Sequence, residues 1–342
     1  MTNNSTKLLF FFTLLSGLMI TISSNSWLSA WMGLEINLLS FIPIMSNNEN
    51  IFTTEAALKY FLIQALASLT LLFIIISKSM IESMFTLIDF NFKDTLLMTP
   101  LLMKTGAAPL HWWFPSVMEG LSWNNCFILL TIQKIAPMVL ISYSIYLNFF
   151  TSFFILSCVI IGAIGGYNQI SIRKILTYSS INHLGWMLAA MFIGENLWII
   201  YFLIYSLLTL TIILTIYPLQ ISFINQTIPL SSDNKIIKFL MFTSLLSLGG
   251  LPPFLGFFPK WMIIQFLTMN WSLMITSIMV VMSLVTLYYY LRVSYTSFII
   301  LTSELNWMNF NNKNYNLLIL TFIVSSLSIS GLIGCTMIIN SL

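Results

Sequence analysis

The sequence predicts an all-α membrane protein whose helices cross the bilayer many times. Of its 342 residues, 58% are hydrophobic and only 7% are charged, whereas roughly 25% of the residues of a soluble domain are charged. The apolar residues come in successive runs of about 20, the length that a helix needs to cross the hydrocarbon core. Because backbone groups in lipid have to be hydrogen-bonded within the protein, runs of this kind form helices.

The predicted helices form a single membrane domain, 1–342, with about eleven crossings. Two units of five helices occupy 8–148 and 150–298, and a last transmembrane helix follows at 317–340. The first apolar run, behind Lys7, could pass for a signal peptide, but further spans follow at once, so it is expected to be the first membrane helix. The predicted helices are 8–22, 27–45, 57–77, 95–115, 123–148, 150–166, 175–193, 197–217, 236–266, 272–298 and 317–340.

Positive charges between the predicted helices determine the orientation of the chain. The side of the N-terminus carries Lys7, Arg173, Lys174, Lys235, Lys238, Arg292 and Lys313, and the other side carries Lys78 and Lys93. The N-terminus is therefore expected on the cytoplasm-like side, which is the matrix in a mitochondrion, with the C-terminus opposite. Tryptophans near predicted helix ends are expected to be interfacial anchors, namely Trp27, Trp31, Trp112, Trp113, Trp198 and Trp307.

An internal repeat marks the fourth and ninth predicted helices. The segment from Gly106 to Pro115 aligns without gaps on the segment from Gly250 to Pro259, with glycine, proline, phenylalanine and proline at the same spacing. Helices of even and odd number cross the membrane in opposite directions, so the repeat predicts two inverted units. Proline and glycine interrupt helices, which predicts two broken helices. The helix-breaking residues are Gly106, Pro109, Gly250, Pro252 and Pro253.

Broken helices are tolerated where protein or a water-filled cavity surrounds them, and paired breaks in inverted halves point to a transport site. Coincidental proline kinks are the alternative.

The charged residues Glu35, Lys104, Lys134 and Lys260 lie inside predicted spans and are flanked by apolar residues on both sides. Each ionised residue at a helix centre costs about 2.5 to 3.5 kcal/mol, so these side chains are expected to face the protein interior. One carboxylate cannot neutralise three lysines, so some of the amines are expected to be uncharged part of the time. Such lysines can accept and release protons, which predicts a proton relay. The alternative is that they reach the membrane surface or tie helices together.

Two histidines and the cysteines complete the set of candidate groups. His183 and His111 titrate near neutral pH and are candidates for the relay, although a buried histidine is often only hydrogen-bonded. Cys126, Cys158 and Cys335 lie far apart without metal-site spacing. The net charge of +3 is scattered and contains no basic run. We therefore expect no bound metal and no nucleic-acid partner.

Three blocks carry a resemblance to a known family: Asn25 to Ser40, Lys104 to Pro115 and Leu248 to Trp261. They resemble chain 2 of mitochondrial NADH:ubiquinone oxidoreductase, respiratory complex I, in its animal, invertebrate-type form. The likeness covers essentially the whole chain. The bacterial relatives have three additional helices at the N-terminus, which this chain is expected to lack. The likeness implies an antiporter-like subunit of the membrane arm, in the mitochondrial inner membrane, that moves protons across the membrane while quinone is reduced elsewhere in the complex.

The resemblance also implies roles for residues and partners. Glu35 is expected to pair with Lys104 and modulate its charge, Lys134 to link the two halves, and Lys260 to be the terminal lysine of the second half. FMN, iron–sulfur clusters and ubiquinone are expected in other subunits, with no cofactor in this chain. Expected partners are the other membrane-arm subunits, including neighbouring antiporter-like subunits, and lipids such as cardiolipin. The alternatives are a free-standing cation/proton antiporter and a structural scaffold of the membrane arm.

Overall fold

A computed structural model of the chain describes residues 4–47, 50–84, 90–146, 148–227, 235–269, 272–298 and 321–331. Throughout these ranges the regular structure is helical, and the pairing between extended residues is an isolated bridge from Ser171 to Phe223. The prediction of an all-α protein is therefore confirmed. Lys313, Trp307 and Cys335 lie outside the described residues.

The helices follow the predicted spans closely. The second helix has the predicted bounds, the third is longer than predicted, and the predicted helix 317–340 falls within the description only at Thr321–Gly331. The α-helices are α1 Asn4–Ser23, α2 Trp27–Met45, α3 Ile51–Met84, α4 Phe90–Thr105, α5 Trp113–Gly120, α6 Trp123–Leu130, α7 Ile132–Ser144, α8 Phe149–Tyr167, α9 Ile172–Ile193, α10 Glu195–Ile216, α11 Lys235–Gly249, α12 Phe257–Met269, α13 Leu273–Phe298 and α14 Thr321–Gly331.

Within the described ranges, seven helical segments are long and apolar enough to cross a membrane. They are Ser5–Ser23, Trp27–Met45, Ile51–Met80, Trp123–Ser144, Phe149–Tyr167, Glu195–Leu219 and Leu273–Tyr295. The broken fourth and ninth spans are absent from this set because each consists of two short helices.

Both breaks lie where the glycine and proline residues predict them. α4 ends at Thr105 and α5 begins at Trp113, while α11 ends at Gly249 and α12 begins at Phe257. In both breaks the glycine that follows the first helix is left-handed, with φ of 75° at Gly106 and 80° at Gly250. A side chain at such φ is strained, so glycine is suited to both positions.

The fifth predicted span has an interruption that the sequence analysis missed. α6 and α7 meet at Thr131, which has φ of −117° and ψ of −74° and separates the two helices. The amide of Lys134 bonds the Thr131 carbonyl, three residues back, at 3.1 Å. This tighter turn begins α7, the helix that carries Lys134.

The chain divides into two compact units, Met1–Phe154 and Ile155–Leu342. In the first unit, α1 packs on α2, α2 on α3, and α4 on α7. In the second, α9 packs on α10 and α12, and α11 packs on α10 and α13. Gly162 of α8 approaches the α9 backbone so closely that an added Cβ would lie 2.6 Å from the Asn182 nitrogen. Small residues allow this kind of close approach in membranes.

Candidate functional site: buried lysines beside two broken helices

Lys104 and Lys134 line the same buried cavity in the first unit. Their side chains retain only 7% and 2% of their full exposure. The water-accessible space in the cavity is about 20 Å³, which is enough to hold one or two water molecules. The other residues that line it are Leu34, Asn37, Leu38, Tyr60, Gln64, Thr105, Trp113, Phe114, Leu129, Gln133 and Pro137.

The break after α4 positions Lys104 at the end of a helix. The amides of Gly106 and Ala107 turn back to the carbonyls of Met103 and Leu102, at 3.2 and 3.0 Å, which closes the end of α4. The Lys104 carbonyl accepts a 3.2 Å bond from Gln64 Nε2. Helix ends of this kind carry partial negative charge, which favours a cation in the last turn.

Phe114 connects the first break to Lys134. The Lys134 Nζ lies 5.0 Å from the centre of the Phe114 ring, a distance at which an ammonium ion is attracted to an aromatic face. A Cβ on Gly106 would come within 3.3 Å of Phe114. The absence of a side chain at Gly106 therefore leaves room for the ring that faces Lys134.

Glu35 lies on α2 and is half-buried. Its expected partner, Lys104, lies at the end of α4. Between these two described residues there is no ion pair within 4.0 Å, whereas the exposed residues Lys59 and Glu55 are 3.9 Å apart. The pairing of Glu35 with Lys104 therefore stays a prediction.

Three polar side chains that the sequence analysis missed form a hydrogen-bonded network on the cavity wall. Gln133 Nε2 donates to Asn37 Oδ1 at 2.9 Å, and the Tyr60 hydroxyl donates to Gln133 Oε1 at 3.3 Å. The network connects α2, α3 and α7. Polar amides within predicted apolar spans were the signal that could have identified it.

The structure does not bring His111 into this cavity. Its Nδ1 lies 3.2 Å from the Pro109 carbonyl oxygen, and its ring stacks on Trp112, which is 82% exposed. The neighbouring Trp113 is only 5% exposed, and its indole N–H donates to the Met103 carbonyl at 3.2 Å. The prediction that Trp113 is an interfacial anchor is therefore wrong, because its indole closes the end of α4 inside the protein.

Lys260 lies beside the break of the second unit. Its Nζ donates to the Gly249 carbonyl, in the last turn of α11, at 2.9 Å. It also faces the Trp186 ring, 5.9 Å from the ring centre. The side chain is 7% exposed. Lys260 therefore lies at the carbonyl end of the helix that precedes its break, as Lys104 does in the first unit.

His183 belongs to a buried polar cluster formed by α9 and α10. Its Nδ1 lies 2.8 Å from the Tyr201 hydroxyl, and its ring packs against Tyr205 at 5.1 Å. His183 precedes Trp186 by three residues, so both lie on one face of α9. His183 was predictable as a candidate from the sequence, whereas Tyr201 and Tyr205 were not, since their distance from His183 along the chain gives no sign of a cluster.

The histidine, cysteine and acidic side chains of the described ranges do not gather into any group of three that could hold a metal ion. Broken helices with buried lysines at their carbonyl ends instead define the chain as an antiporter-like membrane protein. The family described as NADH:quinone oxidoreductase/Mrp antiporter, TM, matches residues 24–286.

Comparison with individual proteins narrows this class. NADH-ubiquinone oxidoreductase chain 2 of Anopheles gambiae is 52% identical over 331 residues, covering 96% of this chain and 97% of its own length. The chain 2 protein of Symphalangus syndactylus is 41% identical over 326 residues, covering 91% and 92%. The chain therefore belongs to the NADH-ubiquinone oxidoreductase chain 2 family, which confirms the resemblance found in the sequence.

Solved structures of other complexes share the fold at lower identity. A chain in respiratory complex I from Thermus thermophilus has a TM-score of 0.85 and 22% identity, covering 98% of this chain and 79% of that one. A chain in the Mrp complex from Dietzia sp. has a TM-score of 0.78 and 16% identity, covering 96% and 75%.

Proposed function

We propose that this chain is a proton-carrying subunit of the membrane arm of NADH:ubiquinone oxidoreductase in the mitochondrial inner membrane. Glu35, Lys104, Lys134 and Lys260 are its proton-translocating residues, and His183 is a further member of the path. The observation that supports this most directly is the water-sized cavity shared by Lys104 and Lys134. Membership of the chain 2 family supports the same function.

Charge repulsion explains how two lysines in one cavity can move a proton. Two like charges in one cavity repel each other, and the repulsion is stronger inside a protein than in water. A single proton held by either amine is therefore favoured over two. When Glu35 attracts the charge, the proton resides on Lys104, and when that attraction weakens it can pass through water to Lys134. The chain moves charge in this scheme, and other subunits carry the redox chemistry.

The finer architecture belongs to the same proposal. The chain has about eleven crossings, in two inverted five-helix units followed by one helix. Its N-terminus lies on the matrix side and its C-terminus in the intermembrane space. FMN, iron–sulfur clusters and ubiquinone are held by other subunits, and the partners are neighbouring antiporter-like subunits and anionic lipids such as cardiolipin. The matched left-handed glycines at the two breaks support the repeat.

Methionine in place of a lysine tests the function, because it removes the charge and keeps an unbranched chain. Intact complex carrying Lys134→Met or Lys104→Met is expected to oxidise NADH while translocating fewer protons per electron. Lys59→Met is the matched control, since Lys59 is exposed and pairs only with Glu55 on its own helix. An unchanged proton-to-electron ratio and rate in both buried variants would contradict the proposal.

A free-standing cation/proton antiporter is the second candidate, and the likeness to the Mrp complex favours it. Such a protein would exchange Na⁺ for protons in proteoliposomes that contain this chain alone. We expect no exchange there. A cation site needs several oxygen ligands, and Glu35 is the one carboxylate that the proposed proton path contains. A structural scaffold, the third reading, would leave the lysine variants fully active.

A further inference from the structure

The amide of Gln133 is held in one orientation by its neighbours. A carboxamide has one oxygen that accepts and one nitrogen that donates. In Gln133 the nitrogen donates to Asn37 Oδ1 and the oxygen accepts from the Tyr60 hydroxyl. If this amide alone turned over, its oxygen would face the Asn37 oxygen, which is unfavourable. The three side chains can therefore change direction only together.

The network includes residues of α2 and α7, the helices that carry Glu35 and Lys134, and the neighbouring Gln64 bonds the backbone of α4, which carries Lys104. Gln133 directly precedes Lys134 on α7, and Asn37 follows Glu35 by two residues on α2. Gln64 lies one turn after Tyr60 on α3 and donates to the backbone carbonyl of Lys104. All four of these polar side chains line the cavity.

The hydrogen bonds leave a defined set of groups for a water molecule. The Gln64 side-chain nitrogen donates to the Lys104 carbonyl, so the side-chain oxygen of Gln64 remains an acceptor at the cavity. Asn37 uses its oxygen on Gln133, so its nitrogen remains a donor there. A water molecule in this space would be oriented by donating to the Gln64 oxygen and accepting from the Asn37 nitrogen. Proton transfer through water requires such an orientation, because each step uses one donor and one acceptor.

We infer that Gln133 is a positioning residue of the lysine cavity, whose fixed amide orients the polar groups through which a proton passes between Lys104 and Lys134. This inference rests on the proposed function. Gln133 does not itself bind or release the proton. Its part is to keep Asn37 and Tyr60 in the hydrogen-bond direction that the transfer requires.

The experiment uses intact complex carrying Gln133→Leu, with Ser144→Ala as control. Ser144 is a buried polar residue on the same helix that bonds only to carbonyls of that helix and does not line the cavity. A misplaced reacting group can cost about 100-fold in rate, so Gln133→Leu is expected to slow proton translocation at least about tenfold. Ser144→Ala is expected to pump normally.

Gln133→Glu separates positioning from packing. A protonated carboxyl both donates and accepts, as the amide does, whereas an ionised one cannot donate to Asn37 and would hold a proton on Lys134. The titratable groups that line the cavity with it are Tyr60 on α3, Lys104 on α4 and Lys134 on α7, and Glu35 lies on α2 two residues before Asn37. We expect this variant to pump at low pH and to fail as pH rises, while the wild type changes little. A flat profile equal to that of the wild type overturns the inference.

Tyr60→Phe tests the network with little effect on folding. Phenylalanine keeps the edge-to-face contacts with Phe41 and Trp113, at 5.4 and 5.8 Å, and removes the bond to Gln133. We expect reduced pumping in a fully assembled complex. If Lys134→Met stops pumping while Gln133→Leu and Tyr60→Phe leave it unchanged, the positioning role is refuted and the proposed function stands. If these three variants and Lys104→Met all pump normally, the proposed function itself is refuted.

Discussion

At the scale of single residues, each of the two breaks has a lysine at the carbonyl end of its first helix, but the two lysines come from opposite sides of their breaks. Lys104 precedes its break and belongs to the last turn of α4, whereas Lys260 follows its break and reaches back to the Gly249 carbonyl at 2.9 Å. Both amines thereby lie at the negative end of a helix dipole. The sequence could identify the lysines and the glycines. It could not predict the carbonyl contact, because that depends on how α12 folds back against α11.

Gly250→Ala tests this arrangement. The alanine would be held at φ of 80°, which costs about 1 to 2 kcal/mol. Its Cβ would lie 3.0 Å from Lys260 Cδ and 3.2 Å from Nζ, displacing the amine from Gly249. We expect lower thermal stability of the complex together with slower pumping.

Gly194→Ala is the control for that substitution. Its φ of 169° suits any residue, and an added Cβ meets nothing within 4 Å. Equal stability and pumping of the two variants would show that the left-handed glycine has no role in holding Lys260.

At the scale of helices, the sequence predicted most boundaries and missed the interruption at Thr131. The breaks after α4 and α11 were predictable because glycine and proline act on the local backbone. Thr131 has apolar neighbours, and the closest proline, Pro137, lies six residues further along. Glycine and proline therefore give no indication of a helix interruption at Thr131. The tight turn that starts α7 depends instead on packing around the helix. The cavity network was missed for the same reason, since Asn37, Tyr60 and Gln133 come from three helices.

Gly162→Ala tests the close packing of α8 on α9. Alanine improves intrinsic helix propensity by about 1 kcal/mol over glycine. The new methyl group, however, would lie 2.6 Å from the Asn182 nitrogen and 2.8 Å from the Tyr178 carbonyl oxygen, both backbone atoms. Overpacking of this kind costs about 1 to 3 kcal/mol, so we expect a net loss, measured as a reduced yield of assembled complex.

The comparison variant is Ile164→Ala on the same helix. Ile164 is 61% exposed, so its truncation leaves the helix contact intact. We expect normal assembly for Ile164→Ala. A normal yield for Gly162→Ala as well would mean that α8 and α9 can separate without consequence.

At the scale of the whole chain, the apolar composition indicates a membrane protein, and the distribution of lysines and arginines between the helices is the basis of the proposed topology. Large apolar side chains are exposed along the helices, among them Phe149 at 90% and Met19 at 68%. Such surfaces are stable against lipid, where a soluble protein would aggregate. The proposed orientation rests on the lysines and arginines near the helix ends, because loops rich in these residues stay on the cytoplasm-like side during insertion.

Cysteine labelling of intact mitochondria and of inverted inner-membrane vesicles measures the orientation. Asn225 and Asn25 are both exposed, at positions that the proposed topology assigns to opposite sides of the membrane. In a Cys335→Ser background, Asn225→Cys is expected to react with an impermeant thiol reagent only from the matrix side, and Asn25→Cys only from the intermembrane space. Cys126 and Cys158 are buried and give no background. The reversed pattern would invert the topology.

The left-handed glycines also limit how this chain can change over time. A single base change that replaces glycine by another amino acid yields alanine, valine, serine, cysteine, tryptophan, arginine, aspartate or glutamate, and all of these carry a Cβ. Aspartate tolerates positive φ better than most residues. At Gly250 it would place a carboxylate beside the Lys260 amine and hold its proton permanently. Among these replacements, the one that the left-handed backbone accepts most readily is thus also the one that most directly disables Lys260.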